Sequence, residues 1–433
     1  MPSSTAADLS VEITPRERLR VLWASFIGTA IEWYDFFLYG SATALVFAPQ
    51  FFPSTDPLSS TLAAFGAFTI GFVARPLGGV VMGSLGDRLG RKSMLMLSMM
   101  LMGGSTVAMG LLPNYQTIGV AAPIILVALR LIQGIGVGGE WGGAVLMAVE
   151  YSPRSRRALY GAIPGMGIPA GIILANLIVF WVSAAVAPEA FAAWAWRIPF
   201  LASGVLVIVG FYIRLKVGET PSFKRLEASA EVLKNPLGML FRRYTVPMLL
   251  GGLISIVPPI VGHVLTVFML TFMTQAMGMP QSQMLIVIIF GSVVQFAAMP
   301  LVAVFADKVG HKRSYMLGMA LTAVWIFPMF ALITSGSFGL MLLAYAVSFI
   351  IHPLMSSPQG AVLAGIFPPQ VRYSGASISY QIASVIAGFS PLIAAALVGA
   401  SSNVWPLATY MVVSTVVCLI GAVFMKVGTH AHE

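Results

Sequence analysis

Charge is the scarcest thing in this sequence: 24 Lys and Arg and 15 Asp and Glu among 433 residues amount to 9%, against about 25% in an ordinary globular protein. A water-facing surface cannot be assembled from so few ionised groups. Cysteine is scarcer still, since Cys418 stands alone in an apolar run, which excludes an intrachain disulfide framework, a cysteine-based metal site and dithiol redox chemistry. No metal and no cofactor is expected. Also missing are HExxH, GxSxG and paired aspartates on separate apolar segments, which argues against an enzyme working inside a membrane. What remains is 58% hydrophobic residues, the composition of a chain solvated by lipid.

A membrane helix needs roughly 20 mainly apolar residues. The sequence divides into twelve such spans: residues 21–47, 61–86, 93–112, 118–149, 158–187, 197–215, 244–276, 282–306, 314–334, 338–366, 373–400 and 405–425. The breaks fall where Gly, Ser, Asn and Pro cluster, as at Gly278-Met279-Pro280 and Ser335-Gly336-Ser337, the usual loop formers. Residues 1–20 are polar, with Asp8, Glu12 and Glu17, and the run after them is too long for a signal h-region. It is expected to remain as the first span.

The net charge of +9 raises the question of nucleic acid, but the position of the bases answers it. Arg16, Arg18 and Arg20, then Arg88, Arg91 and Lys92, then Arg154, Arg156 and Arg157, and later Lys308, Lys312 and Arg313 all occupy alternate short connections. Seven more lie in the segment 214–243, and Arg372 and Lys426 complete the set. This is the positive-inside pattern. It predicts a multi-pass protein of the cell inner (plasma) membrane with both termini cytoplasmic, the lipid bilayer as solvent and no nucleic acid as partner. Only Arg197, beside Trp194 and Trp196, and Arg75 and Arg130 within spans fall outside it.

Half the chain echoes the other half. Gly83-Ser-Leu-Gly86-Asp87-Arg88-Leu-Gly90-Arg91-Lys92 follows the second span and Ala303-Val-Phe-Ala306-Asp307-Lys308-Val-Gly310-His311-Lys312-Arg313 follows the eighth. The expected organisation is a cytoplasmic tail at 1–20, a six-helix bundle at 21–215, a cytoplasmic linker at 216–243, a second six-helix bundle at 244–425 and a tail at 426–433. Parallel repeats around a midplane cavity are a recurring transporter plan.

With that loop between spans two and three, and its weaker copy between eight and nine, the chain resembles the major facilitator superfamily. Ile31-Glu32-Trp33-Tyr34-Asp35-Phe36-Phe37-Leu38-Tyr39-Gly40, Arg75-Pro76-Leu77-Gly78-Gly79, Arg130-Leu-Ile-Gln133-Gly134, Gly138-Gly139-Glu140-Trp141-Gly142-Gly143 and Tyr373-Ser374-Gly375 are similar to its metabolite:proton symporter group. The resemblance covers essentially the whole chain. It implies an all-α integral membrane fold of twelve helices in two pseudo-symmetric halves, alternating access, and uptake of a small organic anion with protons. The nearest pattern is the shikimate-carrying type; the proton gradient takes the place of a cofactor, and a monomer is expected. A zwitterion carrier of the betaine or proline type is the second reading. A drug:proton antiporter is disfavoured by two core arginines and by a fifth span that does not follow the antiporter pattern.

Ionisable groups inside a span cost about 2.5 to 3.5 kcal/mol each on insertion scales and mark functional candidates. Glu32 and Asp35 lie three residues apart, roughly 17 to 21 Å along the first span at 1.5 Å per residue, which is mid-depth. Asp35, assisted by Glu32 and Arg130, is the expected proton-coupling group, with Glu140 as the second candidate; a permanent ion pair such as Glu32 with Arg130 is the structural alternative. Arg75 and Arg130 are the expected carboxylate clamps, because the planar guanidinium matches a carboxylate bidentately. Arg75 is equally a gate or packing residue, since Gly78-Gly79 lets the helix unwind there. Tyr39, Gln133, Trp141, His263, Tyr380 and Gln381 complete the expected substrate contacts, His263 and Gln381 beside helix breaks of the second half. Gly83, Asp87, Arg88, Gly90, Arg91, Lys92 and Asp307 form the expected cytoplasmic gate, in which small residues let helices approach.

Overall fold

The computed structural model describes residues 15–79, 91–138, 154–216, 236–368 and 371–425, with the single positions 81, 148 and 152. Among the described residues there are twelve long helical runs, with shorter helical segments between some of them, and no strand. In the first half, α1 spans Pro15–Ala42 and continues through a π turn, Thr43–Phe47, into Ala48–Phe51. It is followed by α2 (Pro57–Gly79), α3 (Arg91–Leu111), α4 (Ala121–Val137), α5 (Arg157–Ala185) and α6 (Arg197–Lys216). In the second half, α7 is Thr245–Ala276, α8 Gln281–Val309, α9 His311–Ile333 and α10 Phe338–Ala364. There α11 is built from Arg372–Gly388 and Ser390–Ser401, and α12 is Trp405–Phe424. Eight of these are long and apolar enough to cross a bilayer, nine when α6 is joined to Pro188–Ala195, bent 49° from it. Their outer faces confirm the solvent: Leu301 (73% exposed), Val324 (76%) and Phe424 (74%) are tolerable only against lipid.

Local chemistry explains the ends. Asp56 caps α2, its carboxylate taking the N–H groups of Leu58 (3.2 Å) and Ser59 (3.0 Å), and Pro57 follows at the first helical position, where its missing N–H costs nothing. The connection expected over 307–313 contracts to Gly310 alone, at φ 104°. Only glycine adopts that conformation without strain, so α8 and α9 each run longer than expected and carry Lys308, Lys312 and Arg313 on their ends. The expected fourth span begins later, at Ala121, because Asn114 caps a separate turn, Tyr115–Ile118. The linker expected at 216–243 lies outside the described residues except at its ends, where Pro236–Arg243 is helical.

Glycines bring the helices together. A methyl group on Gly171 of α5 would stand 2.7 Å from Ala30 O of α1, and one on Gly78 of α2 would stand 2.1 Å from Ile135 O of α4. The glycines after Arg75 therefore serve close packing of α2 on α4; α2 stays helical through Gly79 rather than unwinding. The halves meet along a seam where α5 lies against α8, α2 against α11, and α1 against α7. It is closed at one end by α5 and α8, and towards the other by Gly388 of α11 on Phe72 of α2 and Gly40 of α1 on Val267 of α7.

Candidate functional site

At mid-depth of the first half, α1, α2, α3 and α4 enclose a small cavity lined by Glu32, Phe36, Gly71, Arg75, Arg130 and Gln133, among others. Its three charged residues are nearly inaccessible: Arg130 is 2% exposed, Glu32 3% and Arg75 4%. Arg130 donates from Nη2 to Phe68 O (3.0 Å) and from Nη1 to Gln133 Oε1, while its guanidinium lies over the Tyr39 ring at 3.9 Å. Gly71 provides the room, since a Cβ there would sit 2.8 Å from Nη2. Arg130 has no acidic partner among the described residues, and its Nε has no hydrogen bond. The expected alternative of a Glu32–Arg130 ion pair is therefore not formed. Glu32 lies instead within electrostatic reach of Arg75.

Arg75 sits in an aromatic box, 4.6 Å from the Phe72 ring centre, 5.5 Å from Phe36 and 5.8 Å from Trp33. Its Nη1 donates to Ser384 Oγ of α11 at 3.2 Å, so it bridges the two halves. His263 of α7 closes the same box, with its ring 5.0 Å from Phe72 and 5.4 Å from Phe36, its Nδ1 3.1 Å from Ala387 O and its Nε2 without a partner. Tyr380 of α11 is buried beside this cluster, within electrostatic reach of Arg75 and Glu32. Gln381 also holds α11 to α4: its Nε2 donates across the seam to Gly138 O at 2.7 Å, while its Oε1 has no partner.

Asp35 departs from expectation. Although three residues from Glu32, it turns toward α3 and α6, where Ser203 donates to its Oδ1 and Thr106 stands beside it. It is fully buried, lacks a cationic partner among the described residues, and its Oδ2 makes no hydrogen bond. Arg130 reaches this side only through Gln133, whose Nε2 donates to Thr106 Oγ1 at 2.9 Å. Ser203, Thr106 and Ser384 were not anticipated. The one signal was a small polar run, Gly103-Gly104-Ser105-Thr106, inside an apolar span.

At the cytoplasmic gate expected from the sequence, Asp307 accepts the N–H groups of Ala158 (2.8 Å) and Leu159 (3.1 Å) at the start of α5, and His311 Nε2 lies 3.0 Å from the same carboxylate. Gly83, Asp87, Arg88 and Gly90 lie outside the described residues, as do Glu140 and Trp141. Arg91 and Lys92 open α3. A second cavity borders α5, α8 and α10, where Gln295 Oε1, Ser356 Oγ and Gln359 Nε2 lack partners.

Comparison with known proteins agrees with this architecture. Residues 21–235 match the family model described as Sugar (and other) transporter, and residues 260–433 match the one described as Major Facilitator Superfamily. The inner membrane metabolite transport protein YhjE of Escherichia coli is 40% identical over 91% of each chain, and the shikimate transporter of that organism 37% over 94% of each. Its proline/betaine transporter is 32% identical over 94% of this chain and 83% of its own length. Among solved structures, the proton:xylose symporter XylE superposes with a TM-score of 0.74 at 16% identity, over 95% of each chain, a likeness of fold. With twelve helices in two halves, a closed seam between them and relatives matched along nearly their full length, the chain belongs to the major facilitator superfamily of membrane transporters and is not an enzyme.

Proposed function

We propose that this transporter is a proton-coupled symporter that imports a small organic acid by alternating access, in an inner membrane with both termini cytoplasmic. The observation that carries the reading is Arg130: a buried guanidinium with no carboxylate partner among the described residues. A guanidinium buried at this depth is costly unless an anion pairs with it, and an incoming carboxylate supplies one in the geometry a guanidinium prefers. Arg75 and Tyr380 extend the same surface, and His263 and Tyr39 offer an unpartnered ring nitrogen and hydroxyl. Asp35, set apart among hydroxyls, is the proton site. Binding the proton there removes a buried negative charge, and binding the anion at Arg130 removes a buried positive one, so each event lowers the cost of rocking the halves.

One observation favours the zwitterion reading. The box of Trp33, Phe36 and Phe72 beside Glu32 also suits an alkylammonium group, and one relative is named as a proline/betaine transporter. Uptake into membrane vesicles of labelled shikimate, citrate, 2-oxoglutarate, betaine and proline, with and without an imposed proton gradient, separates the two. Gradient-driven accumulation of an acid that is lost in Asp35→Asn supports the proposal. Accumulation of betaine alone, or full accumulation by Asp35→Asn, overturns it.

A further inference from the structure

The link between Asp35 and Arg130 can be followed atom by atom. A threonine hydroxyl has one proton to donate and two lone pairs. In Thr106 the proton goes to Met102 O at 3.0 Å, and one lone pair accepts Gln133 Nε2 at 2.9 Å. The other is left beside Asp35, whose Oδ1 is taken by Ser203 and whose Oδ2 is buried with no hydrogen-bond partner. Gln133 in turn presents its Oε1 to Arg130 Nη1. Around Asp35, α1 contributes Tyr34 as a titratable neighbour, α3 and α6 contribute hydroxyls, and α4 contributes Gln133 with Arg130 beyond it; α5, which packs along α1, carries no titratable side chain over Gly167–Ala185.

We infer that Thr106 is a positioning residue that reports the protonation of Asp35, through Gln133, to the guanidinium of Arg130. The inference rests on the reading of Asp35 as the proton site. With a proton on Oδ2, the acid donates to the free lone pair of Thr106, and Asp35, Thr106 and Gln133 are all satisfied in the arrangement observed. When that proton leaves, Oδ2 and Oγ1 present lone pair to lone pair. The repulsion is relieved by rotating the Thr106 hydroxyl away from Met102 O and onto Oδ2. That rotation moves the lone pair that held Gln133 Nε2. A primary amide is rigid, so a shift of Nε2 also shifts the Oε1 that holds Arg130. No covalent bond other than the O–H of Asp35 is made or broken, and one proton is exchanged.

The test uses the full chain in lipid vesicles and needs no transported substrate. Infrared difference spectra between acidic and alkaline buffer report the protonated carboxyl of Asp35, assigned by its disappearance in Asp35→Asn, and the guanidinium of Arg130, assigned with Arg130→Lys. In the unsubstituted protein both signals change over one titration. Thr106→Val, equal in shape but without the hydroxyl, loses the guanidinium response while the carboxyl still titrates, and Thr106→Ser restores it. If Arg130 continues to follow Asp35 in Thr106→Val, the relay is wrong and the proton site stands. If Asp35→Asn leaves the carboxyl spectrum unchanged, the proton site itself is wrong and the relay falls with it.

Discussion

The carboxylate of Asp307, at the end of α8, holds the backbone N–H of Ala158 in α5 at 2.8 Å, across the seam between the two halves. Together with Leu159 N–H at 3.1 Å it occupies the positive end of α5, where backbone donors have no helical partner.

Asp307→Ala is therefore expected to loosen the expected cytoplasmic end of the seam. Removing a carboxylate from a helix start costs about 1 kcal/mol, roughly a fivefold change in a two-state equilibrium. With Met299→Cys as reporter, a buried position on α8, labelling by a membrane-impermeant maleimide should rise by about that factor. Unchanged labelling would mean the contact does not hold the gate.

Arg130→Lys keeps the charge and loses the fork that reaches Gln133 and Phe68 O together. Hydrogen bonds to charged groups contribute roughly 1.5 to 3 kcal/mol, so the apparent KM for the transported acid should rise about ten- to hundredfold. The amount of folded protein should stay close to normal. A KM within twofold of the unsubstituted value would remove Arg130 from the binding site.

Gly78→Ala places a methyl 2.1 Å from Ile135 O on α4, against backbone that cannot move aside. Overpacking costs roughly 1 to 3 kcal/mol, so the Tm of the purified protein should fall clearly. Gly66→Ala, with nothing within 4 Å of the added carbon, is the control and should leave Tm unchanged or raise it slightly.

Asp56 gives a pH dependence with a definite sign. The Ser59 hydroxyl first, then the Ser59 and Leu58 N–H groups, hold its carboxyl below the ordinary value of 3.8. A lowered carboxyl favours the folded state fully above 3.8, and the contribution drains away as pH falls through the lowered value. Asp56→Ala should thus be less stable than the unsubstituted protein at neutral pH, the gap closing in strong acid. Asp56→Asn, whose amide oxygen caps without charge, should show no such closing.

Much of this architecture could be read from the sequence because lipid imposes a simple rule. Apolar runs of span length, broken where Gly, Ser, Asn and Pro cluster, located the twelve helices, several within one or two residues, as with 197–215 against Arg197–Lys216 and 405–425 against Trp405–Phe424. Glu32, Arg75, Arg130 and Gln133 do share one cavity. The direction in which Asp35 points was not legible: three residues amount to about 300° of helical rotation, which leaves Glu32 and Asp35 some 60° apart, enough for one to face α2 and the other α6. Nor was the role of Gln381, since a glutamine that closes a seam and one that meets a solute have the same sequence surroundings. Hydroxyls such as Ser203 and Thr106 disappear in apolar spans because they also satisfy themselves on the preceding turn, as Thr106 does on Met102 O.

The π turns in α1 and α7 carry a consequence for motion. Thr43–Phe47 lies in α1, and Val264–Phe268 and Phe272–Ala276 lie in α7, the two helices that meet where Gly40 touches Val267. Each wide turn holds one surplus residue, and a surplus that migrates along a helix turns the residues it passes by about 100° and slides them 1.5 Å. A side chain on α1 or α7 can thereby leave one compartment and enter another while every peptide group keeps a partner, so the barrier to reorientation need not include breaking the helix.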